Sequence, residues 1–331
     1  MNPISSPSPD GHRLPRPSTA ASVLRFIAGN ELLLVWLVLA AAASLVSPFF
    51  LTETNLRNIL NQSSVLGILA CAQFLVVVIG GFDLSVAAVL ALASVIFATL
   101  APTAPLAGAL LGIAAGASLG LLSGVAVTLG RVTPMIATLG VMGIARGLAF
   151  VVAEKSVSVP PALLEPFKAT IWLFSVPVIV WLVLAAVLAW MLARTRFGRN
   201  LYAIGGNERS ARLAGVPVLK RKLSVYALSG ALSAIAGLAL VGRTSSGVPH
   251  VGAGWELDSI AAIVIGGARL FGGEGNILKA MMGVIIYQTV ANIMNLVSLN
   301  PFYQDIVKAI VIIVVVGVSV MRAARQQGGR S

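Results

Sequence analysis

Charge is what this sequence has least of. Only 10% of its 331 residues are Asp, Glu, Lys or Arg, where a soluble domain carries about a quarter. Hydrophobic residues make up 58%, so the chain reads as a polytopic membrane protein. Cysteine is nearly missing. Cys71 stands alone in an apolar run, which excludes an internal disulfide and leaves a small packing residue. Histidine is almost as rare: His12 near the N-terminus and His250 in a loop form no pair to hold a metal or serve a Ser/His dyad. No G-x-x-x-x-G-K-[ST] run occurs, so ATP hydrolysis by that device is excluded.

What charge there is has one sign, a net +12, but it flanks apolar spans instead of forming a nucleic-acid surface. Lipid is the partner it implies, and nucleic acid is not. Spans can be drawn at 30–50, 57–79, 84–100, 105–129, 134–152, 170–193, 223–242, 258–269, 279–298 and 303–321. The eighth is short for a full crossing. With the N-terminus inside, seventeen of the 23 Lys and Arg fall on the inner side, four on the outer and two within spans. The positive-inside rule then places both termini in the cytoplasm. Residues 1–28, rich in Pro and Ser, are expected to form a disordered cytoplasmic tail. Residues 29–322 form the transmembrane domain, and 323–331 a second cytoplasmic tail. The outer loops are 153–169, stiffened by Pro160, Pro161 and Pro166, and 243–257.

A faint repeat relates the two halves. Asp83-Leu84-Ser85 opens the third span and Asp258-Ser259 the eighth; Pro134 begins the fifth and Pro301 precedes the tenth. Five spans per half would invert the second half relative to the first, so the expected fold is an all-α membrane protein with a 5+5 inverted repeat. In the fourth span Gly108, Gly112, Gly116, Gly120 and Gly124 share one face, a strip for close helix packing.

Polar residues inside the bilayer are costly and therefore informative. Gln288, Asn292 and Asn295 recur at i, i+4 and i+7, so they share a face of the ninth span. They suit either hydrogen bonds to a neutral polyol or glue between helices. Gln62 and Gln73 make a weaker stripe in the second span. Asp83 follows Gly80-Gly81, and reads as a helix cap or as a helix start on a translocation path; Asp258 carries the same two readings. Arg146 lies about 18 Å past Pro134, in the outer half of the membrane, where it either snorkels or pairs with a carboxylate on the path. Lys308 is expected to pair with Asp305 one turn away. The glycines at 266–267 and 272–275 read as a tight turn, with a phosphate cradle as the other reading.

The polar island at 194–222 holds eight of the 23 Lys and Arg. Within it Asn207 can cap a short helix, Glu208 suits its positive end, and Gly215 followed by Pro217 stops it.

These residues carry a resemblance. GGFDLSVAAVLALAS (80–94), VTPMIATLGVMGIARGLAFV (132–151), RFGRNLYAIGGNERSARLAGV (196–216), GWELDSIAAIVIGG (254–267) and FYQDIVKAIVIIVVV (302–316) resemble the membrane permeases of bacterial ATP-binding-cassette sugar importers, in the ribose-permease branch. The resemblance implies a permease subunit in the bacterial inner membrane that imports a monosaccharide or small polyol. It also implies a second permease copy, as a homodimer or heterodimer, a tandem-cassette ATPase on the cytoplasmic face and a periplasmic sugar-binding protein on the outer face. This chain would bind no cofactor; ATP and Mg belong to the ATPase. Gly206, Asn207, Glu208, Ala211, Arg212 and Gly215 match the segment that couples to that ATPase. Ser210 departs from the family pattern, where alanine is common. Asp83, Arg146, Gln288, Asn292 and Asn295 are the candidates for a translocation path. The other class open to the sequence is an ion-coupled secondary transporter using Asp83, Asp258 and Asp305.

Overall fold

The computed structural model describes residues 30–328, apart from the side chains of Pro166, Lys168 and several residues beyond Val314. The expected tail at 1–28 lies outside the described residues, as do 329–331. Ten main helices correspond to the ten spans: α1 (Glu31–Val46), α2 (Glu53–Val78), α3 (Val86–Leu100), α4 (Pro105–Thr128), α5 (Pro134–Val152), then α7 (Val176–Arg194), α10 (Val218–Thr244), α11 (Trp255–Ile265), α12 (Ile277–Leu296) and α13 (Pro301–Gly328). Three shorter ones intervene: α6 (Pro161–Lys168), α8 (Arg196–Gly206) and α9 (Glu208–Leu213). Among the described residues six helices, α2, α4, α5, α7, α10 and α12, are long and apolar enough to cross a bilayer by length and composition. At 11 residues, α11 rises only about 16 Å, roughly half a hydrocarbon core.

Burial sorts the helices. The apolar window of α2 is 89% buried and that of α10 72%, whereas α4, α5 and α7 bury only 28–33%. Apolar side chains left exposed on those outer helices, such as Leu106, Leu110, Ile136 and Val183, suit lipid contact. α2 therefore forms the axis, packed by α7, α10, α11 and α12. Trp181 of α7 lies over Gly67 of α2, filling the space a larger residue would need. α4 lays its glycine strip on neighbours: Gly108 and Gly112 meet α3 at Phe97, Leu100 and Ala93, and Gly116, Gly120 and Gly124 meet α10. Gly230 of α10 answers Gly116, so two backbones touch without side chains between them.

The halves are related by the contacts of their third helices. α3 packs on α4, α5 and α10, while α11 packs on α12, α13 and α2. Exchange of the halves carries one set into the other, as a 5+5 repeat requires. Both third helices are entered through non-helical backbone, at 80–85 and 245–254, most of it buried or half-buried.

Short strands tie the end opposite the island. β1 (Val157–Ser158) pairs antiparallel with β4 (Ser246–Gly247), joining the two loops of that end. β2 (Thr170–Ile171) and β3 (Phe174–Ser175) form a hairpin. The sixth span therefore starts at 176, not 170. The TIWLFS stretch is apolar enough to merge with the helix in a hydropathy reading, yet Trp172 turns the chain at φ +56°. Ile171 and Trp172 are exposed, as interfacial anchors are.

Candidate functional site

The island folds as two helices, where the sequence suggested one. Thr195 opens α8, its hydroxyl oxygen accepting from the Gly198 amide at 3.2 Å. Gly198, Leu201 and Ile204 bury one face. On the other side the Arg221 guanidinium lies 5.2 Å from the Phe197 ring centroid. Asn207 then turns the chain into α9: its backbone is extended, and its Oδ1 accepts from the Ser210 amide at 2.9 Å. The stop is a Schellman arrangement, with Val216 N donating to Ala211 O at 3.0 Å and Gly215 N to Arg212 O at 3.1 Å. Gly215 takes the left-handed φ of +82° that this closure requires.

α9 faces two ways. Ala211 is buried against the body of the protein, while Arg209, Arg212 and Leu213 face outward. Leu213 is 83% exposed, outside every long apolar helix. Glu208 accepts from Lys222 Nζ at 2.5 Å and from Arg212 Nη2 at 2.9 Å. The Lys222 hydrogen bond, reinforced by the charge of both cations, holds the Glu208 carboxyl below its ordinary range. Leu213 and Lys222 were not singled out from sequence as parts of this site, and of α8 only its last residue, Gly206, was. An exposed leucine has no local signature, and Lys222 lies fourteen residues from its partner.

Behind α9 three backbones converge. Gly273 N donates to Val78 O at 2.9 Å at the end of α2. A Cβ on Gly205, in the last turn of α8, would collide with that same carbonyl and with Gly273 N. Tyr202 Oη donates to Gly275 O at 2.9 Å. The glycine run at 266–275 is thus a tight turn, braced by Arg269 and Glu274 at 2.6 Å and wedged between α2 and α8.

Asp83 is buried nearby, at the start of α3. Its carboxylate accepts from Ser85 N at 3.0 Å, Ser85 Oγ at 2.5 Å and Ser229 Oγ of α10 at 2.8 Å. It both shapes the turn before α3 and ties that turn to α10. Arg146 lies toward the other end, where Nη1 donates to the carbonyls of Pro249 at 2.8 Å and Val251 at 2.9 Å. It clamps the loop that leads into α11.

The in-span amides separate. Asn292 is buried in a reciprocal pair with Asn55 of α2, at 3.0 and 2.8 Å, and joins two helices. Gln288 and Asn295 line a cavity of about 180 Å³ toward the end away from the island. Gln62 of α2, Trp255 and Asp258 of α11, Gln304 and Lys308 of α13 and Arg243 of α10 share its wall. Asp258 accepts from Tyr287 Oη at 2.5 Å, one turn inside a helix whose N-cap is Gly254. Lys308 stands 3.4 Å from Asp305. Among the described residues no group of three His, Cys, Asp or Glu could hold a metal ion.

Residues 55–316 match the model of a family described as the permease component of branched-chain amino acid transport systems. The ribose import permease RbsC of Escherichia coli K12 is 41% identical over 293 residues, 86% of this chain and 91% of the relative. RbsC of Bacillus subtilis is 39% identical, with 84% and 88% covered. The L-arabinose transport permease AraH of E. coli K12 is 38% identical, with 86% and 88% covered. No solved structure matches.

Proposed function

The chain belongs to the permease family of ATP-binding-cassette importers, in its ribose-permease-like branch, and we propose that it carries a monosaccharide across the bacterial inner membrane by engaging an ATPase through α9. The observation that carries the coupling role is Leu213: an aliphatic side chain left open to solvent on a helix capped at both ends. Isolated exposure of a leucine is ordinary, but here it sits between Arg209 and Arg212 and the left-handed Gly215, on the most basic segment of the chain. A rigid, apolar-tipped helix is what a groove in a partner takes up. The island end faces the cytoplasm in this reading, because most Lys and Arg cluster at that end. The ATPase supplies two cassettes and uses ATP and Mg, a periplasmic binding protein delivers sugar to the opposite end, and a second permease copy completes the pathway.

The test is capture of the ATPase from membranes by the tagged permease. Leu213→Asp is expected to lower recovery of the ATPase by about tenfold or more, the scale of one buried aliphatic contact replaced by a charge. Permease abundance should stay unchanged, since Leu213 contributes no packing to the fold. Wild-type capture and sugar uptake by Leu213→Asp would remove α9 from the coupling role. Uptake by the purified permease alone, driven by an ion gradient, would instead favour a secondary transporter.

A further inference from the structure

We propose that the cavity between α2, α10, α11, α12 and α13 is a recognition subsite for a neutral, unphosphorylated monosaccharide, so that the permease itself selects its cargo. The inference rests on the permease reading and adds to it a defined binding site. Size comes first. A cavity of about 150 Å³ accommodates a six-membered ring, and this one measures about 180 Å³.

The chemistry of the wall comes second. It presents one aromatic plate, Trp255, suited to the C–H face of a sugar ring. Around it stand Asp258 as an acceptor, Arg243 as a donor, and the amides of Gln288, Asn295 and Gln304, which do both. Vicinal hydroxyls donate and accept together, and this mixture answers them. Asp258 opposes an anionic ligand, while Arg243 and Lys308 oppose a cationic one.

The decisive observation is which of these groups are already used. Asp258 is held by Tyr287, and Asn295 accepts from Gln304 Nε2 at 3.0 Å, so these are fixed in place. The guanidinium of Arg243 and the amides of Gln62 and Gln288 make no side-chain hydrogen bond or ion pair among the described residues. Polar groups at membrane depth that merely hold helices together find partners, as Asn55 and Asn292 do. Gln62 and Gln288, both half-buried, face one cavity without partners and are poised for a solute, and Arg243, exposed at its rim, adds a free donor there. Arg243 also borders a second cavity of about 180 Å³ beside Asn61 and Ser175.

The experiment measures thermal stabilisation of the full chain in lipid nanodiscs by D-ribose, L-arabinose, D-xylose, D-galactose and D-glucose. At least one sugar should raise the melting temperature saturably. Gln288→Leu and Arg243→Met should weaken that response by about tenfold, the loss of one polar contact. Because neither group has a partner in the chain, the sugar-free melting temperature should hold or rise, which separates recognition from a structural role. The proposal is overturned if no sugar in the panel stabilises the wild-type chain, or if both variants respond as wild type does. A fall in the sugar-free melting temperature of both variants overturns it too, because it would assign the groups to the fold. ATPase capture reports separately on the coupling reading: loss of sugar binding leaves capture intact, and loss of capture leaves sugar binding intact.

Discussion

Glu208 engages two cations, one on its own helix and one on the next. Arg212 at i+4 is the local pair, exposed and of little worth by itself; Lys222, only 19% exposed, is the one that fastens α9 to α10. The folded carboxyl therefore titrates below its ordinary value of 4.5. A depressed acid contributes stability that is fully present above the unfolded value and disappears as pH falls through the folded one. The anchoring of α9 should thus persist at neutral pH and weaken only below about 4.5. Carbon-13 carboxyl titration should place Glu208 below that value, and Lys222→Met should bring it back toward it. A wild-type midpoint at or above 4.5 would show that the ion pair does not form. The cap at Asn207 and the stop at Gly215 were legible in the sequence because they are local chemistry. The Lys222 partner was not, because chain proximity across a helix stop follows from the fold. The same limit applies to Gln288, Asn292 and Asn295: periodicity set them on one helix, while only packing against α2 separates the paired Asn292 from the two that face a cavity.

At the scale of elements, ten spans were readable because each is an apolar run between polar breaks, although the sixth helix starts at 176 instead of 170 and the tenth runs to 328 instead of 321. Of the three short helices only α9 was. α8 hides in the most charged segment, since its buried face needs only Gly198, Leu201 and Ile204. α6 hides among prolines that read as a stiff loop. The glycine strip of α4 was legible as a period, yet its neighbours were not: two of its glycines meet α3 and three meet α10. Those contacts give an element-level prediction. A Cβ at Gly120 would run into the Tyr226 carbonyl, which backbone alone cannot yield to. Gly120→Val should destabilise by about 1–3 kcal/mol or more, the range of overpacking in a tight interface. Gly140→Ala, where nothing lies within 4 Å, should be nearly silent. Melting temperatures of the two purified variants check this, and equal behaviour would mean that α4 and α10 do not touch in the membrane.

Across the whole molecule, α9 and the cavity are linked through backbone contacts. α9 continues from α8, α8 abuts the 266–275 turn at Gly205 and Gly273, and that turn connects α11 to α12, which carry half the cavity wall. The same turn is hydrogen-bonded to Val78, at the end of the axial helix α2 that supplies Gln62 to the wall. A displacement of α9 by a partner would therefore reach the cavity through rigid helices and without a chain of side chains. Where packed helices of this kind have two arrangements, small shifts become access changes. Gly205→Ala tests the link without touching α9, whose cap, ion pairs and exposed Leu213 lie beyond it. The added methyl would force Val78 and Gly273 away from α8. ATPase capture should persist, while sugar uptake per ATP hydrolysed in reconstituted vesicles should fall by about tenfold, as expected when about 1.4 kcal/mol of coupling is lost. Uptake that stays proportional to hydrolysis in Gly205→Ala would place the coupling route elsewhere in the protein, with the direct bridge from α9 to α10 through Glu208 and Lys222 the next to examine.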